Sequence, residues 1–167
     1  MTAERARQAF ASFEQRLAAL RASDPSLVPA CKRGCAYCCY PGNLQISRAE
    51  AAAIVEHVEA SWSDADRASL RKRLEHYQSM PIMERWNARV PCPLLDEQQG
   101  TCTVYEVRPL RCRGWNSTDP SACEARDHTP IPSVLEQHQL AKEVTSELVP
   151  ADLTDLAAAL LQLDGRA

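Results

Sequence analysis

Residues 31–39 read Cys31-Lys32-Arg33-Gly34-Cys35-Ala36-Tyr37-Cys38-Cys39, four thiols in nine positions, and the rest of the chain is organised around them. Cys35 and Cys38 form a CxxC pair, the spacing at which a tight turn aims two sulfurs at one ion while backbone N–H groups bond back to them. Cys31 extends the pair to CxxxCxxC, which is also an iron–sulfur ligand spacing. Cys39 directly follows Cys38. Side chains of adjacent residues diverge, so these two are expected to serve different metals or different corners of a larger cluster. Cys92, Cys102, Cys112 and Cys123 bring the total to eight. Eight thiols suit two four-thiolate centres, or one four-cysteine cluster with a second site.

Length and composition favour metal over disulfides. A chain of 167 residues buries enough surface to fold without covalent staples, and eight cysteines fall short of the about 8–10% that marks disulfide scaffolds. The N-terminal stretch has charges throughout and does not read as a secretory signal, and no later run reaches membrane-spanning length. The expected compartment is the cytoplasm, where thiols stay reduced and an even set of cysteines points to metal or catalysis. A disulfide-linked protein is the residual alternative. A net charge of −3 and a pI near 5.8 do not suggest binding through nucleic-acid phosphates, no membrane association is expected, and a protein partner is left open.

Thiolates around divalent ions leave negative charge to be offset. Lys32 and Arg33 inside the cluster, and Arg108, Arg111 and Arg113 around Cys112, either offset it or are ordinary solvated charges. Tyr37, Tyr40 and Trp115 flank the cysteines as water shields or as simple packing. His128, in a loop five residues after Cys123, reads first as a solvated histidine and otherwise as a substitute ligand, whereas His57, His76 and His138 fall on predicted helices.

The expected fold is mainly α with a small β-hairpin, an irregular cysteine-rich centre packed by about five to six helices. One domain spans 1–167, with the cysteine-rich region at about 30–123 and flanking helices at 3–22 and 133–164. Ala6, Phe10, Phe13, Leu17 and Leu20 mark one face of the first helix. Ser47 with Glu50 forms a capping box ahead of the stripe Ala51, Ile54, Val55, Val58 and Trp62. Ser63 with Asp66 opens the helix carrying Leu70, Leu74 and Tyr77, which Pro81 stops, and a short helical piece runs from Ile82 through Trp86 to Val90. Residues 93–96 and 101–105 are expected to pair around a tip at 98–100, and Pro109 to start a turn or short helix carrying Cys112. Residues 116–132 read as irregular loop. Asn116-Ser117-Thr118 matches a glycosylation pattern without the secretory context that would give it meaning. Ser133 with Glu136 is expected to cap a helix with Leu140, Val144 and Leu148 on one face. Pro150 is expected to open a last helix displaying Leu153, Leu156, Leu160 and Leu163 and ended by Gly165.

Taken jointly, the cysteine run, Cys92-Pro93-Leu94-Leu95, Gly100-Thr101-Cys102-Thr103-Val104-Tyr105-Glu106 and Arg108-Pro109-Leu110-Arg111-Cys112-Arg113 resemble the YkgJ-like or CxxCxxCC family over residues 31–123. The resemblance implies zinc or iron chelation through Cys31, Cys35, Cys38, Cys39, Cys92, Cys102, Cys112 and Cys123, and leaves activity open. Flagellin lysine methylases carry a related cysteine segment, so protein modification is conceivable by analogy. The CxxxCxxC spacing also occurs in radical enzymes that use S-adenosylmethionine, but their strand–helix alternation does not match this helical pattern. Two uses remain: a metal-binding protein coordinating zinc or iron, possible iron–sulfur cluster included, or an iron-dependent or iron–sulfur redox or modification enzyme. No phosphate loop, paired carboxylates or Ser–His–Asp arrangement supports any other chemistry.

Overall fold

A computed structural model describes residues 2–125, 133–148 and 153–164. Five helices are long: α1 (Ala3–Ser23), α2 (Arg48–Ser61), α3 (Asp64–Ser79), α7 (Leu135–Leu148) and α8 (Leu156–Asp164). Three are single-turn pieces: α4 (Ile82–Asn87), α5 (Leu110–Gly114) and α6 (Pro120–Ala125). The fold is mainly helical, as the periodicity predicts. The hairpin is formed by β2 (Leu95–Asp96) and β3 (Thr101–Cys102), paired Leu95 to Cys102 and Asp96 to Thr101. Its tip falls at the expected place, held by Asp96 Oδ1 accepting from the N–H groups of Gln98 and Gln99 at 3.0 and 3.1 Å.

The α2 helix is shared between two apolar cores. Its Ala49 and Ala53 face α1 and α7, where Phe10, Phe13, Leu17, Leu110, Leu140 and Val144 pack. Its Ala51, Ile54 and Val58 face α3 and α8, with Leu70, Leu74, Tyr77, Leu156 and Leu160 and the hairpin residues Leu94 and Val104. Each large apolar side chain buried so completely contributes about 1.5–3 kcal/mol before the entropy of ordering is set against it. Alanines on both faces let the neighbouring helices approach closely. Leu20 is only partly buried, at the C-terminal end of the α1 stripe.

Glu50 ties this helix to the cysteine region. The capping box forms as expected: Ser47 Oγ accepts from Glu50 N–H at 3.2 Å, and Glu50 Oε2 accepts from Ser47 N–H and Oγ–H, each at 2.8 Å. The second oxygen, Oε1, accepts from Leu110 N–H at 2.8 Å, sixty residues away at the start of α5. Ser47, Glu50 and Leu110 are all buried. One carboxylate therefore satisfies orphan donors of two helix N-termini, where the helix dipoles favour its charge.

Four expectations are corrected. A second antiparallel pair joins β1 (Gln45–Ile46) to β4 (Thr154–Asp155), and it was not foreseen because each strand has two residues and the partners are remote. The last helix starts at Leu156, since Asp155 Oδ1 accepts from the N–H groups of Ala157 and Ala158 at 3.1 and 3.4 Å and so acts as the cap. Leu153 precedes the helix and is exposed; Pro150 and Gly165 lie outside the described residues. Residues 116–132 are not all loop, because α6 occupies 120–125, and the piece opened by Pro81 ends at Asn87 rather than Val90. Asn116 is buried: its Oδ1 accepts from Val134 N–H at 2.7 Å and its Nδ2 donates to Gly114 and Val134 carbonyls, pinning the entry to α7. No helix among the described residues is long and apolar enough to cross a membrane.

Replacing Glu50 by Ala should remove about 2–4 kcal/mol of unfolding free energy, because it strips buried donors at two helix ends. Ser63→Ala, which deletes the exposed cap of α3, should cost about 1 kcal/mol or less. Urea melts compare them, and equal losses would show that Glu50 acts as one more helix cap.

Candidate metal centre

Glycine and a 3-10 turn shape the first cluster. Gly34 has φ +85° and Gly100, at the hairpin tip, has φ +64°, a backbone region that costs other residues strain. A Cβ on Gly100 would stand 2.7 Å from the Gly34 carbonyl oxygen, so the tip and the loop between Cys31 and Cys35 meet backbone to backbone. Beyond Gly34, residues Tyr37–Cys39 wind into a 3-10 turn closed by Cys39 N–H donating to Ala36 O at 2.8 Å. The turn is held from two sides. Cys92 N–H donates to Cys39 O at 2.7 Å, and α6, which carries Cys123, packs against it. Gly42, with φ +64° and the Trp86 side chain against it, lets the chain leave the turn beneath α4.

All eight cysteines are thiols, with no disulfide among them. They fall into two neighbourhoods. Cys31 feels the charge of Cys35, Cys38 and Cys123, whereas Cys39 and Cys112 feel Cys92 and Cys38, and Cys92 and Cys102 feel Cys38. Cys38 is thus within electrostatic reach of both groups. Against the divergence that adjacency predicts, the Cys38 and Cys39 thiols hydrogen-bond each other within the 3-10 turn. As the thiols stand, no three Cys, His, Asp or Glu side chains among the described residues are close enough together to hold an ion.

The two neighbourhoods differ in exposure. Cys92, Cys102 and Cys112 pack against the α2–α3–α8 core, while Cys31 and Cys38 are exposed and Cys35 is half-buried. Burial pushes the Cys92 thiol up to about 12 and raises Cys112 and Cys102 as well. For Cys39 the bond to Cys38 raises it first, then burial. Backbone amides work the other way: Leu94 N–H is directed at Cys92, Val104 N–H at Cys102, and Ser117 N–H reaches Cys31 Sγ at 3.3 Å. In the first two the donor lies two residues after the cysteine, the knuckle geometry of a thiolate ligand. Sequence reading missed these donors because any residue supplies an N–H. The spacing of Cys92 and Cys102 from Leu94 and Val104 is the only trace they leave.

The arginines divide by role. Arg108 sits with its guanidinium 4.0 Å over the Tyr105 ring, its charge lowers Cys102 and Cys112, and its Nε is buried without a hydrogen-bond partner. Arg113, whose charge also lowers Cys102, is a structural anchor as well. It donates to Glu14 Oε1 at 2.6 Å and to the Arg108 and Glu106 carbonyls, and covers Phe10 at 4.4 Å, so α5 is fixed to α1. Arg111, Lys32 and Arg33 are exposed. Among the aromatics, Tyr37 hydrogen-bonds Glu124 of α6, and Trp115 lies beside His138, ring centroids 5.7 Å apart. His57, His76 and His138 sit on α2, α3 and α7 as expected, and His128 lies outside the described residues.

The chemistry of the donor set fits a thiophilic ion: eight thiols, amides aimed at three of them, and the charges of Arg73, Arg108 and Arg113 acting on the buried ones. In the metal-free chain, thiols whose pKa is raised on folding contribute stability that is full below the unfolded value near 9 and is lost as pH climbs towards the folded value, about 12 for Cys92. The melting temperature of metal-free protein should therefore hold up to about pH 8.5 and fall above pH 9, with Cys92→Ala flattening that fall. A fall identical in Cys92→Ala would remove the assignment. Gly100→Ala should cost about 1–2 kcal/mol, from the positive φ and the contact with Gly34, and thermal melts check it.

A comparison with curated proteins finds no match, and neither does one with solved structures. The profile of one family, described as "putative zinc- or iron-chelating domain", matches residues 30–144, well over half of the chain and every cysteine in it. The protein belongs to the CxxCxxCC family.

Proposed function

We propose that this chain is a metal-binding protein that holds zinc or iron through its eight cysteine thiolates in two sets. The inner set is Cys39, Cys92, Cys102 and Cys112; the outer set is Cys31, Cys35, Cys38 and Cys123. The observation that carries the reading is the family profile, which matches residues 30–144 and takes in every cysteine; the bond from Cys92 N–H to Cys39 O and the packing of α6 on the 3-10 turn bring later cysteines towards the loop 31–39. Cys38 is in reach of both sets and goes to the outer one because the inner already has four members and Cys38 is exposed like Cys31.

A bound ion supplies cross-links, and with four thiolates it has no vacant position. The chain's own part is to present the sulfurs, direct amides at them and place Arg108 against the charge of the inner set. Loading takes protons off thiols that burial keeps protonated, so binding releases protons. Reduced thiols also favour a reducing compartment such as the cytoplasm.

Zinc and iron per chain, measured after anaerobic purification alongside a visible spectrum, test the reading. About two zinc ions and no colour are expected for closed all-thiolate centres. Iron with sulfide and a brown spectrum would turn the inner set into a cluster site and favour the redox or modification enzyme. Neither metal, with no titratable thiols, would overturn the reading in favour of disulfides. Cys112→Ser should lose metal and solubility together, because its sulfur joins α5 to the core.

A further inference from the structure

The short helix α4 wears its polarity reversed. The side chain it turns inward is Arg85, which is buried: Nη1 donates to Asp155 Oδ2 at 2.7 Å, Nε donates to Met80 O at 2.8 Å, and the guanidinium lies 4.3 Å over the Tyr77 ring. Away from it, Ile82, Met83 and Trp86 are 46%, 66% and 49% exposed. Their spacing puts all three on one arc of the helix. A buried guanidinium is tolerated only when paired, so the bonds of Arg85 hold α4 in an orientation that apolar burial alone would reverse. The helix then ends in a Schellman turn, with Val90 N–H donating to Arg85 O at 2.9 Å and Arg89 N–H to Trp86 O at 3.2 Å. The left-handed position of such a turn favours glycine, yet it holds Arg89 at φ +51°. Glu84 and Arg89 are exposed, and neither side chain has an ion pair among the described residues.

We propose that the outer face of α4 docks a second copy of this chain, α4 packing antiparallel against α4 about a two-fold axis. Ile82, Met83 and Trp86 supply an apolar centre with a charge of each sign at its two ends, Glu84 in the first turn and Arg89 just past the last. A two-fold axis turns one helix end for end against the other and sets Glu84 of each copy against Arg89 of the other. A face with acid at one end and base at the other is complementary to itself, whereas a partner of uniform charge satisfies only one end. The same pairing explains the arginine in the turn: glycine would fit the backbone better but bring no charge to the contact. Six helical residues span about 9 Å, so the interface is at the small end and the dimer is a weak one that dissociates at micromolar concentrations. Trp86 lies against Gly42 where the chain leaves the cysteine loop, which puts the contact beside that loop. The proposal does not depend on what the thiols bind.

Sedimentation velocity of the full chain over about 1–500 μM, under reducing conditions so that no intermolecular disulfide contributes, tests it. The expected result is a reversible monomer–dimer equilibrium with a Kd of about 10–200 μM. Met83→Glu should weaken the dimer at least roughly tenfold. Glu84→Arg alone and Arg89→Glu alone should each weaken it several-fold at low salt, and the two together should restore it. Arg89→Gly separates contact from fold, since it should raise the melting temperature by about 2–4 °C while weakening the dimer. A chain that stays monomeric over the whole range, a dimer that Met83→Glu leaves intact, or a double reversal no tighter than the single ones would each overturn the proposal. So would an Arg89→Gly chain that dimerises as well as the original. Far-ultraviolet circular dichroism checks the fold of each variant, and the charge reversals carry the test if Met83→Glu unfolds.

Discussion

The buried carboxylate of Glu50 is the interaction on which most of the architecture depends. One oxygen closes the capping box of α2 and the other receives Leu110 N–H, so a single side chain sets the starts of two helices. Both have consequences at a distance. The α2 helix divides the apolar interior into two cores, and α5 carries Cys112 between them. A buried carboxylate with three donors and two helix N-termini is stable where an unpaired one is costly. Arg113, one residue after Cys112, completes the joint by fastening α5 to Glu14 of α1.

What was legible in the sequence follows from locality. The capping pairs Ser47–Glu50 and Ser63–Asp66, the stripe of α1 and the tip of the hairpin are each written within a few residues, and all appear in the fold. The β1–β4 pair could not be read this way, since Gln45 and Asp155 carry no local signal of each other. Pro150 drew the last helix too early because proline is a strong start signal, while Asp155 caps from five residues further on. The helix at 120–125 was hidden by Ser, Asp and Pro, which read as loop when counted and as a helix start when Asp119 and Pro120 are taken in order.

The cysteine region shows a similar division. That the cysteine-rich segment forms one family pattern was legible from spacing, and the family match covers every cysteine in it. How they come together was not. The contact between Gly34 and Gly100 requires positive φ at two glycines sixty-six residues apart, and the Asn116 side chain that pins α7 looked like a glycosylation motif. The arginines were legible only as a group; that Arg113 also braces a helix, while Arg108 lies over a ring, is decided by Glu14, Phe10 and Tyr105.

The small sheet has a consequence for the order in which the molecule is made. Gln45–Ile46 directly follows the cysteine loop, and its partner strand is Thr154–Asp155, with Leu156 N–H donating to Leu44 O at 2.8 Å. On the ribosome, the first four cysteines emerge more than a hundred residues before the strand that anchors the end of their loop. Until then the segment that leaves the loop lacks this tie, and Asp155 has not reached Arg85 of α4, its ion-pair partner at 2.7 Å. Cys31–Cys39 are thus made before every element that holds their loop, Cys92, the hairpin tip at Gly100 and α6 as well as β4, and until those follow the nascent thiols stand open to whatever ion or oxidant the surroundings hold.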